Sequence, residues 1–471
     1  MKPQFTISEA SRLFEAGKLS PVELTQDCFS RISAADAQLN SFLLLTEERA
    51  MADARASERR WSSGQPKGRL DGIPIAHKDA FDTAGIRTTW NSRILQENVP
   101  AEDAVAVRNL AEAGTVLMGK LATYEFGLGG PSFDLPWPPP RNPWNLNYSP
   151  AGSSSGTAVA IAAGFILGGT GSDTSGSIRG PASVCGISGI KPTYGLIDGR
   201  GILPLSFTLD HAGPMAWTAE DCAFLLQAMV AHGSNEPGRM ESAVADFTSG
   251  IDGGIKGLRI GVVRHFHEVD APVSVATRTG IEEGLDVLRE LGANITDVSL
   301  SPLSDYHACC TLICFAEGYA VHKPWLTTRY YEYSEFFRDR VALGALITGD
   351  QYVDALRRQR ELCLEMAAAM SDVDILVTTS QATEAIPFEA VQKWSTWENV
   401  SFNIPFNVTG YPAISVCSGF GDLGLPVSIQ LVAKPYCEPL LLRTAHAFER
   451  ATSWRRKRPP SFGGKELPRS E

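Results

Sequence analysis

The chain has 471 residues, 44% hydrophobic and 20% charged, which is enough apolar material for a large globular core. Its formal charge of -11 argues against a nucleic-acid footprint, which needs clustered excess Lys and Arg. Nine cysteines with no Cys-x-x-Cys pair do not form a disulfide framework in a chain this long, so a reducing cytoplasmic setting is expected.

The amino terminus has no apolar signal-like stretch. Residues 7–60 predict helices: Ser8 can cap the first, and Ser20-Pro21, followed by Val22, Leu24 and Cys28, starts a second. From Gly72 the pattern changes, and the apolar run Ile73 to Ala76 predicts a buried strand ending near Lys78. Val105 to Ala113 then predicts a helix closed by Gly114, and Thr115 to Met118 the next strand. Five prolines between Phe133 and Trp144 impose an extended surface segment. A helix follows from Thr157 to Phe165, inside the longest apolar run, Ala158 to Gly169, which is too short and glycine-rich to span a bilayer. Further strands are expected at 260–263 and 375–378, with helices at 276–291 and 350–370 between them. A strand pair at 412–416 and 426–432 precedes a last helix at 440–450. The basic run Arg455 to Arg458 predicts a solvated tail. His265 and His267 are the only close histidine pair, and with no third ligand at workable spacing no metal is expected.

Strands alternating with helices predict an α/β protein with a largely buried sheet. No repeat or composition shift marks a linker. Residues 1–60 therefore form an N-terminal helical region packed on the core, and 61–471 a single domain.

Two serine patches demand a chemical explanation: Ser149 to Gly156 (SPAGSSSG) and Gly171 to Gly180 (GSDTSGSIRG). A phosphate cradle fails because Ser177 and Ile178 stand where a P-loop needs Lys and Ser/Thr, with Asp173 inside the loop. A nucleophile elbow fits Gly152 to Gly156 with Ser154 as nucleophile and His211, His322 or His446 as base, but the residues before it are polar and proline-broken. A third possibility is a lysine base: a buried neutral amine can take a serine proton, and Lys78 ends a very apolar strand. Lys78 could equally pair with Asp79 at the surface.

Several ordered segments together resemble the amidase signature family. They are Gly72 to Ile75 with Lys78-Asp79, Ala151 to Gly156, Ser172 to Arg179, Pro181 to Ser183, Cys185-Gly186, Gly189 to Gly195, Asp210 to Met215, Gly410 to Ser415 and Gly424 to Leu431. The resemblance implies an amidase signature fold, one large mixed sheet flanked by helices on both faces, with a signature core at about 72–215 and a variable helical segment at about 220–370. It implies a Ser-cisSer-Lys triad: Ser177 as nucleophile, Ser153 bridging on a cis peptide, Lys78 as base, and no cofactor. Thr174, Ser175, Gly176 and Ser177 would supply an oxyanion hole, Ser154 would hold Lys78, and Asp173 and Arg179 would brace the loop. Ser172 and Thr170 are as readily turn residues. Ser175, Ala151 and Ser155 stand where the family often has glycine, and Thr378-Thr-Ser380 replaces a more usual Thr-Pro-Thr.

Aromatic residues beside the proline-rich segment make Thr123, Phe126, Trp137 and Trp144 candidates for an acyl pocket suited to aryl amides, esters or carbamates. Some family members serve in the aminoacyl-tRNA amidotransferase, where they work with two other kinds of chain. The tyrosine-rich segment associated with them is replaced here by Gly349 to Ala355, GDQYVDA. The expectation is therefore a free-standing amidase of small-molecule carboxamides, a monomer or homodimer engaging neither nucleic acid nor membrane.

Overall fold

The computed structural model describes residues 4–230, 245–394 and 399–460; residues 1–3, 231–244, 395–398 and 461–471, including part of the expected variable segment, lie outside it. Eleven strands, β1 (Phe42–Leu45), β2 (Pro74–Lys78), β3 (Val116–Leu121), β4 (Gly168–Asp173), β5 (Ser188–Lys191), β6 (His211–Ala216), β7 (Arg259–Val262), β8 (Asn294–Asp297), β9 (Ile375–Thr378), β10 (Ala413–Phe420) and β11 (Pro426–Ala433), form one sheet in the order β1-β3-β2-β4-β6-β5-β10-β11-β9-β7-β8. The sheet is mixed: β2 runs parallel to β3 and β4, and β7 parallel to β8 and β9, while the strands from β4 across to β9 pair antiparallel. Every residue of β2, β3, β6 and β11 is buried, so helices cover the centre of the sheet on both faces.

Thirteen helices are described: α1 (Ile7–Glu15), α2 (Pro21–Leu39), α3 (Glu47–Ser62), α4 (Val105–Glu112), α5 (Ser155–Ala162), α6 (Arg179–Cys185), α7 (Ala219–Met229), α8 (Val275–Glu290), α9 (Leu303–Thr328), α10 (Glu335–Val341), α11 (Gly349–Ala369), α12 (Ile404–Val408) and α13 (Glu438–Ala451). Ser20 caps α2 and Pro21 opens it, as the sequence predicts. The cap of α1 is Thr6, not Ser8: its hydroxyl accepts the Glu9 amide while the Glu9 carboxylate accepts the Thr6 amide. Ser8 lies inside the helix, and its amide donates to Asp221 at the start of α7, tying the N-terminal helices to the core.

The basic run is not a solvated tail. Trp217 Nε1 donates to Arg455 O, the Arg458 guanidinium lies 3.3 Å above the Trp217 ring, and Lys457 Nζ lies 3.8 Å from the Phe420 ring centre. Aromatic faces far away in sequence hold these cations, which a local charge count cannot register.

Candidate active site

Lys78 is the last residue of β2, between parallel neighbours β3 and β4, and its side chain is fully buried. Nζ lies 2.7 Å from Ser153 Oγ, 2.9 Å from Ser172 Oγ and 3.1 Å from Ser154 Oγ. The Lys78 amide donates to Thr170 Oγ1, one alternation before Ser172 on β4. Burial lowers the Lys78 pKa to about 7, against an opposing pull from Asp173 and Asp210. Pairing with Asp79 does not occur, because the next strand residue points to the other face. The Asp79 carboxylate instead accepts from Thr89 and lies 3.5 Å from buried Lys120.

Ser153 and Ser154 are delivered by the turn before α5. The Gly152–Ser153 peptide is cis, and Ala151 holds a left-handed φ of 55° where the family often has glycine. Gly152 packs so tightly on Tyr124 that a Cβ would meet its ring at 2.4 Å. The Ser154 amide donates to Ser177 O, which brings the two serine patches together. Among the described residues no hydrogen bond joins Ser153 Oγ to Ser177 Oγ.

Ser177 sits in the turn between β4 and α6, 8% exposed. Asp173 organises that turn by accepting the amides of Gly176 and Ile178 and a bidentate contact from the Arg179 guanidinium, at 2.8 Å and 3.0 Å. Arg179 and Asp173 are both fully buried, and Asn407 of α12 bonds to both. The guanidinium and these donors hold the Asp173 carboxyl far below the usual range against the burial that raises it. The Gly176 amide is thus spent on Asp173, which removes it from the expected oxyanion donors; the amides of Thr174, Ser175 and Ser177 are not among the turn's hydrogen-bond donors. Gly176 has φ 122°, and a Cβ there would press on Asn403 at 2.7 Å.

No histidine bonds Ser154 among the described residues. His211 Nδ1 bonds Leu209 O, His322 pairs with Tyr333, and His446 with Asp252. His265 and His267 do not converge either. His265 bonds Asp270, and although Glu268 and Glu282 come near His267, the Arg264 guanidinium already lies 2.8 Å from Glu282 and 3.6 Å from Glu268.

Thr123 and Trp137 line a small cleft with Tyr124, Glu125 and Ser132, and the Tyr124 amide donates to Ser153 O. Phe126, with φ 45°, is enclosed by His322 and Phe337, ring centres 4.4 and 5.3 Å away, as part of the core. Trp144 lies elsewhere: its indole donates to Cys185 O at the opposite end of α6 from Ser177, about 10 Å along a seven-residue helix. Packing against Phe420 makes it a strut of the fold.

Two features of the site escaped sequence reasoning. Ser172 is a third ligand of Lys78, and its signal was the two-residue alternation with Thr170. Arg340 of α10 is 2% exposed and bonds only main-chain carbonyls, of Gly129 and Lys393; no carboxylate pairs with it among the described residues, and its Nε has no partner. Gly129 is two residues along its loop from Gly127, where a Cβ would fall 3.7 Å from Ser153 Oγ.

The amidase family model matches residues 23–442. The chain belongs to the amidase family. It is similar to the amidase-type chain of the glutamyl-tRNA(Gln) amidotransferase of Chloroflexus aggregans, 37% identical across 96% of this amidase and 98% of that protein. Among solved structures it resembles the corresponding glutamyl-tRNA(Gln) amidotransferase chain of Thermotoga maritima (29% identical, TM-score 0.80, covering 95% of this chain and 94% of that one). It also resembles the peptide amidase of Stenotrophomonas maltophilia (28%, 0.83, 98% and 99%). The mixed sheet flanked by helices is that of these amidases, and the enzyme is a hydrolase of carbon-nitrogen bonds.

These relatives overturn the expected free-standing amidase of small-molecule amides, esters or carbamates, and with it the expected monomer or homodimer without nucleic acid. Gly349 to Ala355 misled because most of that stretch is exposed in the first turns of α11, where substitution costs little, whereas the similarity runs through nearly the whole chain. A net charge of -11 likewise excludes a basic footprint on this chain but not on a partner. Among the described residues no helix is long and apolar enough to cross a membrane.

Proposed function

We propose that this amidase is the nitrogen-donating component of an amidotransferase, cytoplasmic and assembled with other chains, that releases ammonia from a carboxamide for transfer to tRNA-borne glutamate. The observation that carries its chemistry is a buried Lys78 amine liganded by three serine hydroxyls and by no carboxylate.

Ser177 attacks the carboxamide carbon, and its proton passes through Ser153 to neutral Lys78. The amides of Thr174, Ser175 and Ser177 receive the negative charge that develops on the carbonyl oxygen. Ser153 returns a proton to the leaving nitrogen, ammonia departs, and water takes the acyl group off Ser177. Ser154 and Ser172 hold Lys78, while Asp173 and Arg179 fix the turn. The passage from Ser153 to Ser177 needs one hydroxyl-bearing side chain to rotate on substrate binding, as catalytic contacts often tighten only in the complex. Thr123 and Trp137 line the acyl side. Residues 61–471 act as a single domain with 1–60 packed on it.

Arg340 supports a donor bearing a carboxylate, as glutamine does. A buried guanidinium without a counter-ion is costly unless a ligand supplies one, and its loop faces Ser153. Arg340→Met should raise KM for L-glutamine on the order of 30-fold or more, with kcat less affected. Hydrolysis of a neutral amide lacking the carboxylate should change little. Equal losses on both substrates would refute the carboxylate contact.

A further inference from the structure

Asp210 has no part in the reaction above, yet it lies one hydrogen bond from the turn that carries it out. It precedes His211, which pairs with Asp173 across β4 and β6, so the register sets Asp210 beside Thr174. Asp210 Oδ1 accepts the Thr174 hydroxyl at 2.5 Å, and Oδ2 accepts the amides of Leu205 and Ser206 at 2.8 and 2.9 Å. Behind it stands Glu317 of α9, 3% exposed, which accepts the Ser206 hydroxyl at 2.5 Å, the Thr208 amide at 3.1 Å, the Thr208 hydroxyl and the Tyr352 hydroxyl at 2.8 Å.

Two carboxylates therefore pin the 205–208 segment from opposite sides. That segment is a wall of the site, since a Cβ on Gly127 would lie 3.7 Å from Ser153 Oγ and 3.9 Å from Leu205 Cδ2. Hydroxyl and amide bonds to carboxylates are short, strong and directional, and a chain of satisfied ones fixes its members together.

We propose that Asp210, backed by Glu317, is a positioning residue: it fixes Thr174 and the amides that follow it, and sets Leu205 against the Ser153 side of the pocket. It touches no reacting atom. The inference rests on the reading that Ser177 is the nucleophile and that amides of the 174–177 turn receive the oxyanion.

The test is phosphonylation of the full chain by a fluorophosphonate, followed by intact mass to give kinact and KI. In that step a bond forms from Ser177 Oγ to phosphorus, fluoride leaves, and the phosphoryl oxygen occupies the oxyanion position. Asp210→Asn and Thr174→Val should each lower kinact about 10- to 100-fold. KI should change by less than about threefold, and the double variant should lose no more than the worse single one. Thr174→Ser should recover most of what Thr174→Val loses, and Glu317→Gln should lower kinact in the same direction. Multiplying losses in the double variant, or unchanged kinact in a folded Asp210→Asn, would overturn the proposal. Should Asp210→Asn not fold, equal kinact for Thr174→Val and Thr174→Ser would overturn it. A Ser177→Ala chain that labels at the wild-type rate would instead defeat the underlying reading of the nucleophile.

Discussion

At the scale of single residues, one amine governs the reaction. A lysine at its reference pKa of about 10.4 is neutral in fewer than about one molecule in a thousand near pH 7, whereas at about 7 half the molecules are competent. Since only the deprotonated form accepts the serine proton, kcat/KM should rise as pH increases through about 7 and then level; a profile that falls across that range would contradict the assignment. Lys78→Ala should lower turnover on the order of 10²- to 10⁴-fold with the fold intact by circular dichroism. Lys78, Ser153 and Ser177 were legible because they stand in ordered local motifs. Arg340, Asp210 and Glu317 were not, since each is defined by partners more than twenty residues away in sequence or by the lack of any partner.

At the scale of elements, the parts hardest to read in the sequence are those that build the site. Apolar β2, β9, β10 and β11 were predicted close to their observed places, and so were α8 and α11. The strands β4 (GGTGSD), β5 (SGIK) and β6 (HAGPMA) escaped prediction, because glycine and proline lower strand propensity. Their glycines are there for contact: a Cβ on Gly171 would lie 3.1 Å from Ser154 Oγ, and one on Gly213 would lie 2.1 Å from Ile190 O. The same closeness seats α5, where a Cβ on Gly156 would meet Ser41 O and the amide and carbonyl of Ala122, each at 2.6 Å. Gly156→Ala should therefore displace α5 and the serines before it, costing about 1–3 kcal/mol or more in urea unfolding and most of the turnover. A variant with wild-type midpoint and activity would show that this contact relaxes freely.

At the scale of the whole molecule, the N-terminal helices and the sheet share one hydrophobic core. The Ser8 amide bonds Asp221, the Arg31 guanidinium bonds Gly164 O, and Arg60 pairs with buried Asp71. Unfolding in urea should accordingly show one transition by tryptophan fluorescence and circular dichroism alike, and a separate early transition of residues 1–60 would contradict the single-unit reading. The function turns on where the nitrogen goes. Its fate is followed by purifying the chain from its native cells with whatever is bound to it, supplying amide-¹⁵N glutamine and glutamyl-tRNA, and tracing the label. Partner chains should co-purify, and ¹⁵N should appear in the amide of the tRNA-borne product, with none when Ser177 is changed to Ala. A chain that elutes alone and yields only free labelled ammonia would contradict the proposed transfer.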